Sequence, residues 1–272
     1  MMKKFGFTLA EVLITLGVIG VVAALTTPAL VATGRNEQNA AKLAVTVSNL
    51  ENAFANAISR EGVDTIFQTT IWNAVGDGWL DGANGTEAQR ALFVGELGKY
   101  MNTNGFKNTT MGAFYADNHV EIHGMNNNFS RGDAIPMENI AALFPILMKN
   151  GAVIFIRAVP SGTWSNDQDA ARVAGSAYYD TAADVFIDVN GPAEPNVVGR
   201  DVFGFYLGQN GILYPTGGVD VSITDHINEA NPRIYVWSNA EVAGWRCLQG
   251  TVDNYGWGCT ARLIEENYKM NY

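Results

Sequence analysis

Apolar residues crowd the first part of this chain, and their spacing changes once. From Val12 to Thr33 there is no charged residue, and Val, Ile, Leu, Ala and Gly dominate. A helix over residues 7–32 would be about 39 Å long at about 1.5 Å per residue, enough to cross a hydrocarbon core of about 30 Å. Residues 35–61 read RNEQNAAKLAVTVSNLENAFANAISRE. Here apolar side chains recur at Leu43, Val47, Leu50, Phe54 and Ile58, the spacing of one helix face. Asn39, Lys42, Asn49, Asn56 and Arg60 take the opposite face, and Gly62 is a fitting stop. The pattern predicts one helix over residues 7–61, apolar all round in its first half. Its second half is amphipathic and is expected to pack on a globular part.

Beyond it, residues 64–75 and 86–103 read as helices, the second opened by a capping box of Thr86 and Gln89. The glycine-rich loop from Gly76 to Gly85 carries Asp77 and Asp81, and a solvated turn is expected there in preference to a calcium loop. Asn150-Gly151 lies between AALFPILMK and AVIFIRAV, and Asn210-Gly211 between DVFGFYL and ILYP. Both are hairpin signals. Tyr178 to Val189 is a further strand, rich in β-branched and aromatic residues. The fold class is therefore α+β: a long N-terminal helix packed on a domain with an antiparallel sheet, spanning residues 63–272. A helical insertion is expected over about residues 63–105.

Composition narrows the chemistry. With 17 basic against 27 acidic residues the net charge is -10, which argues against nucleic-acid binding by bulk charge. Three histidines and two cysteines leave little for thiolate, imidazole or zinc chemistry. No nucleophile elbow, phosphate loop or His-Glu-x-x-His is present, so no enzyme is expected. His119 and His123 are spaced to share one face of a strand, rather than a metal on a helix. Trp237, Trp245, Trp257, Tyr255 and Tyr268 make the C-terminal part aromatic, as core or as a patch for a partner.

The start of the apolar run carries the most information. Lys3 and Lys4 precede Gly6, Phe7, Thr8, Leu9, Ala10 and Glu11. The run is too long for the apolar region of a secretory signal, and no small-x-small site interrupts it. A carboxylate at the lip of a membrane helix costs a few kcal/mol, so it usually has a task. The segment resembles the class III signal of type IV prepilins and type II secretion pseudopilins. That resemblance implies a cut between Gly6 and Phe7 by a membrane prepilin peptidase, removal of residues 1–6, and methylation of Phe7. Glu11 matches the family's glutamate, whose expected partner is the new amine of Phe7, within a chain or between subunits. Pro28 matches its proline, where a kink or local break is expected, because proline lacks a donor and crowds the carbonyl of Ala24. The resemblance also implies the location and the partners. The helix would cross the bacterial inner membrane once with its N-terminus cytoplasmic, then enter a periplasmic or extracellular filament of like subunits through an assembly platform. The expected function is a structural subunit of a type IV pilus or of a secretion pseudopilus. The alternatives are a minor or tip subunit binding through residues 63–272 and, less in keeping, a membrane-anchored enzyme.

A second stretch, DVNGPAEPNVVGRDVFGFYLGQNGILYPTGG from Asp188 to Gly218, resembles a D-x-N-G … P-N … G-x-D-x-F segment of bacterial prepilin-like proteins. Asp188 and Asn190 before Gly191 look like the first half of a calcium loop. The closing glutamate is missing, and Asp201 could supply a carboxylate instead. Major pseudopilins bind calcium in a loop near the sheet, so calcium is the one cofactor the resemblance implies. Asx turns at a strand end are the competing expectation. Cys247 and Cys259, twelve apart, are expected to form the disulfide with which many type IV pilins close a C-terminal loop.

Overall fold

A computed structural model describes residues 8–126, 128–129, 131–135, 142–161, 181–216, 247–248, 250, 256–270 and 272. Helix α1 runs from Leu9 to Glu61. It is followed by two single 3-10 turns, Ile66–Gln68 and Trp72–Ala74, and by α2 (Glu87–Leu97), α3 (Met111–Asp117) and α4 (Cys259–Glu265). The strands are β1 (Thr103–Phe106), β2 (His123–Met125), β3 (Arg131–Ala134), β4 (Phe144–Met148), β5 (Val153–Ala158), β6 (Thr181–Asp188), β7 (Val202–Gly208) and β8 (Leu213–Pro215). Residues 1–38 and 39–272 are separate compact units, so α1 beyond Gln38 belongs to the globular one.

The sheet is antiparallel, in the order β1-β4-β5-β6-β7-β8, with β2 and β3 forming a small second sheet. Its strands are apolar on both faces. Phe144, Ile146, Ile154, Ile156, Val185, Ile187, Phe203 and Phe205 point into the core that α1 covers with Leu43, Leu50 and Phe54. Val153, Phe155 and Val202 point the other way, against Met111, Phe114 and Tyr115 of α3 and against Trp257. Strands covered on both faces read as near-continuous apolar runs, which explains FPILM and VIFIRA.

The expected face of α1 is the buried one: Leu43, Val47, Leu50 and Phe54 lie in the core and Ile58 is partly buried. One residue of its polar face behaves differently. Asn39 is buried, because its side-chain amide donates to the carbonyl of Arg200 (3.3 Å). Thr46 Oγ1 accepts from the Asn150 amide (3.3 Å), and Glu51 accepts from the backbone of Leu213 (3.0 Å). Three polar side chains of α1 thus hold two turns of the sheet and the start of β8.

Both Asn-Gly steps are hairpin turns. Asn150 Oδ1 accepts the Ala152 N–H and Asn210 Oδ1 accepts the Ile212 N–H, each at 3.1 Å. Gly151 and Gly211 take φ of +85° and +81°, where a side chain is strained. At Gly211 a Cβ would also come within 2.9 Å of Phe54 Cβ. The strand expected from Tyr178 starts at Thr181, and residues 178–180 lie outside the described residues.

The expected helices after α1 are shorter than their patterns suggested. Over 64–75 only the two 3-10 turns form. Gln68 Oε1 accepts the N–H groups of Asp64 and Thr65, and Glu61 accepts that of Thr70, so side chains replace helical partners. The capping box of α2 is present, with Thr86 Oγ1 accepting from Gln89 N (3.2 Å) and Gln89 Oε1 from Thr86 N (2.9 Å). But α2 stops at Gly98, and Thr103–Phe106 becomes strand β1 because it pairs with β4. Asp81 is not in a solvated turn. It is fully buried and accepts the N–H groups of Ala83 (2.7 Å) and Asn84 (2.6 Å), while Arg90 holds the carbonyls of Asp81 and Asn84. Asp77 is exposed.

Trp72 joins these parts. Its ring stands edge-on to Phe54 (6.1 Å), Phe67 (6.0 Å) and Phe93 (5.5 Å), and its indole N–H donates to the Val159 carbonyl (2.9 Å). Phe54→Ala should therefore empty space shared by α1, the 3-10 turns and the Gly211 hairpin. The expected cost is about 3–5 kcal/mol, read as a lower urea midpoint of the folded domain.

Candidate functional site

The candidate residues fall in two places: the head of α1, and the end of the sheet where β6 meets β7. At the first, Thr8 and Glu11 form a reciprocal cap. Glu11 Oε2 accepts from Thr8 N (2.8 Å) and Thr8 Oγ1 (2.7 Å), and Thr8 Oγ1 accepts from Glu11 N (3.3 Å). This satisfies N–H groups that a helix start leaves open, and it places a carboxylate at the positive end of the helix dipole. Gly6 and Phe7 lie outside the described residues. The apolar residues that follow, among them Leu13 (61%), Ile19 (63%) and Val21 (61%), are exposed. Over this stretch α1 is long and apolar enough to cross a membrane. Thr15 and Thr26 turn their hydroxyls onto the helix carbonyls of Glu11 and Val22, both at 2.9 Å, so neither is left without a partner in an apolar medium. Pro28 lies inside the span of α1, which runs on to Glu61, and as a proline it donates no helical hydrogen bond there.

At the second place, strand register does what loop spacing does not. Asp188 closes β6 opposite Val202 of β7, which brings Asp201 beside it although 13 positions separate the two acids. Both are fully buried. Asp188 Oδ2 accepts from the Tyr115 hydroxyl (2.6 Å), and its Oδ1 from Asn190 N (3.2 Å), the Asx turn expected of this motif. Asp201 accepts the N–H groups of Asn196 (2.9 Å) and Val197 (2.5 Å), and the Asn190 amide lies 3.5 Å away. The three candidate residues Asp188, Asn190 and Asp201 are thus brought together, and Tyr115 joins them from α3.

Burial governs their ionisation. It pushes Asp201 up to about 6, against the pull of the Val197 and Asn196 N–H groups. It raises Asp188 well above the usual carboxylate range, with the Tyr115 hydroxyl opposing and the charge of Asp201 adding. An acid whose folded value is raised helps stability below its unfolded value, and that help is lost as pH rises through the folded value. For Asp201 the window runs from the ordinary 3.8 to about 6. At neutral pH the cluster therefore works against the fold unless positive charge offsets it.

His119 and His123 do not share a strand. His119 follows the end of α3 with φ of +58°, while His123 opens β2 and is buried. His123 Nδ1 donates to the Gly132 carbonyl (3.0 Å) and its Nε2 accepts from Arg131 (2.5 Å). Tyr115, His119, Glu121, Arg131 and Glu194 line a cavity of about 600 Å³ beside them.

Cys247 and Cys259 form a disulfide, their Cα atoms 5.0 Å apart and both residues fully buried. Met125 packs on it, and Gly199 lies so close that a Cβ there would meet Cys259 Cβ at 2.7 Å. Trp257 is core, stacked edge-on to Phe186 at 4.7 Å, and Tyr268 is partly buried. Trp237, Trp245 and Tyr255 lie outside the described residues.

Tyr115 and Asn196 were not legible as site residues. The Thr110 cap before Met111, Phe114 and Tyr115 was the available signal for α3, though nothing local pointed Tyr115 at Asp188.

Residues 1–27 match the family model of the prokaryotic N-terminal methylation motif. No curated protein and no solved structure matches the chain.

The disulfide closes a short loop against the core, so its removal should be felt. Cys247→Ser with Cys259→Ser is expected to cost about 3 kcal/mol, measured by denaturant unfolding under non-reducing conditions.

Proposed function

We propose that this chain, whose residues 1–27 match the prokaryotic N-terminal methylation motif, is a structural subunit of the type IV pilin or pseudopilin kind, assembled through α1. The observation that carries this is the exposed apolar first half of α1 behind a Gly6-Phe7 junction and Glu11. In this reading the helix first sits in the inner membrane with Lys3 and Lys4 on the cytoplasmic side. The prepilin peptidase removes residues 1–6 and Phe7 is methylated. Neighbouring helices then replace lipid around the apolar residues, and Gly17, Gly20, Ala23 and Ala24 allow close approach.

Cleavage supplies the chemistry of assembly. It leaves an ammonium on Phe7, next to Thr8, whose N–H and hydroxyl bond Glu11. A charged donor competes well against these neutral ones, because charge-assisted hydrogen bonds are roughly twice as strong. Glu11 can then pair with the amine of its own chain or of a neighbour, which sets subunit register. The reading assigns residues 39–272 no catalytic step; they form the surface of the filament. A second reading, a minor or tip subunit that binds a ligand through residues 63–272, draws on the cavity lined by Tyr115, His119, Glu121, Arg131 and Glu194.

Intact mass of the cell-associated protein tests the processing. A chain beginning at Phe7 with one added methyl is expected, and a chain that retains residues 1–6 overturns the reading. Glu11→Ala should still be cut, while filament recovery falls by about tenfold or more if one charge-assisted pair per subunit is lost. Normal recovery would remove the proposed role of Glu11.

A further inference from the structure

Asparagine followed by glycine is chemically labile, because the unshielded glycine nitrogen can reach the asparagine side-chain carbon. Five such steps occur in this chain, at Asn84, Asn104, Asn150, Asn190 and Asn210. All five glycines take a positive φ, so the backbone at the glycine does not set them apart. What differs is how the amide is held. Asn84 Nδ2 donates to the Asp81 carboxylate (3.0 Å), and Asn190 Nδ2 to the Ala193 carbonyl (2.5 Å). Asn150 donates to Thr46 Oγ1 (3.3 Å) and accepts the Ala152 N–H (3.1 Å). Asn210 donates to the Tyr214 hydroxyl (2.9 Å) and accepts the Ile212 N–H (3.1 Å). Asn104 is exposed, and its amide has no hydrogen-bond partner among the described residues. The glycines differ in the same sense. A Cβ at Gly85, Gly191 or Gly211 would come within 2.7, 3.0 or 2.9 Å of a neighbouring atom, whereas one at Gly105 or Gly151 would meet nothing within 4 Å. Of the five steps, Asn104-Gly105 alone combines an unheld amide with open surroundings. It also lies where the sheet is least constrained. β1 is an edge strand, and it runs from Thr103 to Phe106 while β4 runs only from Met148 to Ile146, so the extra residue makes a bulge at Asn104-Gly105.

We infer that Asn104 is a site of spontaneous deamidation through a succinimide, with water as the co-reactant. The Gly105 nitrogen gives its proton to solvent and bonds to Asn104 Cγ. The bond from Cγ to Nδ2 breaks, and Nδ2 leaves as ammonia after taking up a proton. Water then opens the ring at one of its two carbonyl carbons. Opening at Cγ leaves aspartate. Opening at the backbone carbon leaves isoaspartate, whose chain runs through Cβ and Cγ. Nothing is oxidised or reduced. The position in the fold sets the consequence. Either product places a new carboxylate on the exposed edge of the sheet. Isoaspartate also lengthens the backbone of β1 just before Phe106, whose ring stands edge-on to Phe144 at 6.5 Å. In an inner strand such an insertion would disturb register on both sides. A bulge on an edge strand already absorbs an extra residue, so the modified chain is expected to stay folded.

The test ages the full-length protein in detergent micelles in mildly alkaline buffer and maps deamidated positions by peptide mass spectrometry. The same incubation in denaturant is the reference. In the folded protein Asn104 should deamidate first, at least about fivefold faster than each of the other four, the factor that one net hydrogen bond supplies. In denaturant that lead should shrink, because every site then has a free amide before an unshielded glycine. Asn104→Gln, whose longer side chain closes a ring far more slowly, should remove the early acidic form seen on anion exchange. Its unfolding midpoint should match that of the unmodified protein, and so should the midpoint of the aged sample. Earlier deamidation at Asn84, Asn150, Asn190 or Asn210 in the folded protein would overturn the inference. So would an equal lead for Asn104 in denaturant, or an early acidic form that survives in Asn104→Gln. A lower midpoint in the aged sample would overturn the accommodation by the bulge.

Discussion

The sheet is apolar on both faces, and the rest of the domain is arranged to keep water from each. One face needs α1, whose Leu43, Leu50 and Phe54 are in the core; the other needs α3 and the segment around Trp257. Two covering layers arriving from distant parts of the chain must be placed accurately, and apolar contact alone does not fix register. Polar side chains do that. Asn39 and Thr46 of α1 each bond a turn of the sheet, Glu51 bonds the start of β8, and the Trp72 indole bonds Val159. Each such bond is worth about 1 kcal/mol net, but leaving its buried partner unpaired costs more, so the wrong register is penalised.

The same burial creates the problem at the end of β6. A strand covered on both faces has no solvent side, so a polar residue at its end goes inside with the rest. Asp188 and Asp201 are the result, and the Tyr115 hydroxyl and the N–H groups of Asn196 and Val197 are the local response. That response is incomplete: the Asn190 oxygen has no donor, and burial still raises the pKa of both acids. The stability of the sheet and the buried carboxylates at its end thus have one origin, the double-sided core.

Much of this was legible because it is local. The period of α1, the Asn-Gly turns and the Thr86 capping box each depend on residues within a few positions of one another, and each is present. The misreadings share the opposite property. Thr103–Phe106 continues a helical pattern but finds β4 more than 35 residues away. Asp81 sits among glycines like a surface turn, yet Arg90 and the neighbouring N–H groups enclose it. His119 and His123 alternate like a strand, but the left-handed residue that ends α3 lies between helix and sheet. The Asp188-Asn190-Asp201 grouping was legible as a motif. The partners Tyr115 and Asn196 were not, because only the fold delivers them.

Unit by unit, α1 faces two environments with one backbone. Beyond Gln38 the apolar side chains of one face, Leu43, Val47, Leu50 and Phe54, are buried by the chain's own sheet, whereas before it the large apolar side chains are exposed among the described residues. A bilayer covers them without demanding register; neighbouring helices cover them with it. Apolar contact among helices gains little over apolar contact with lipid, so the choice between the two must come from polar groups at the helix start. Glu11 is the acidic residue of that first turn, and in the chain described here its carboxylate is occupied by Thr8. That is a stable arrangement for a helix at rest in a membrane. A new ammonium at Phe7 would replace neutral donors with a charged one, and a charge shared between subunits has a direction and a spacing that lipid contact lacks. On the proposed reading, the cap at Thr8 and Glu11 is therefore the group whose partners would change as the helix passes from a membrane to an ordered bundle.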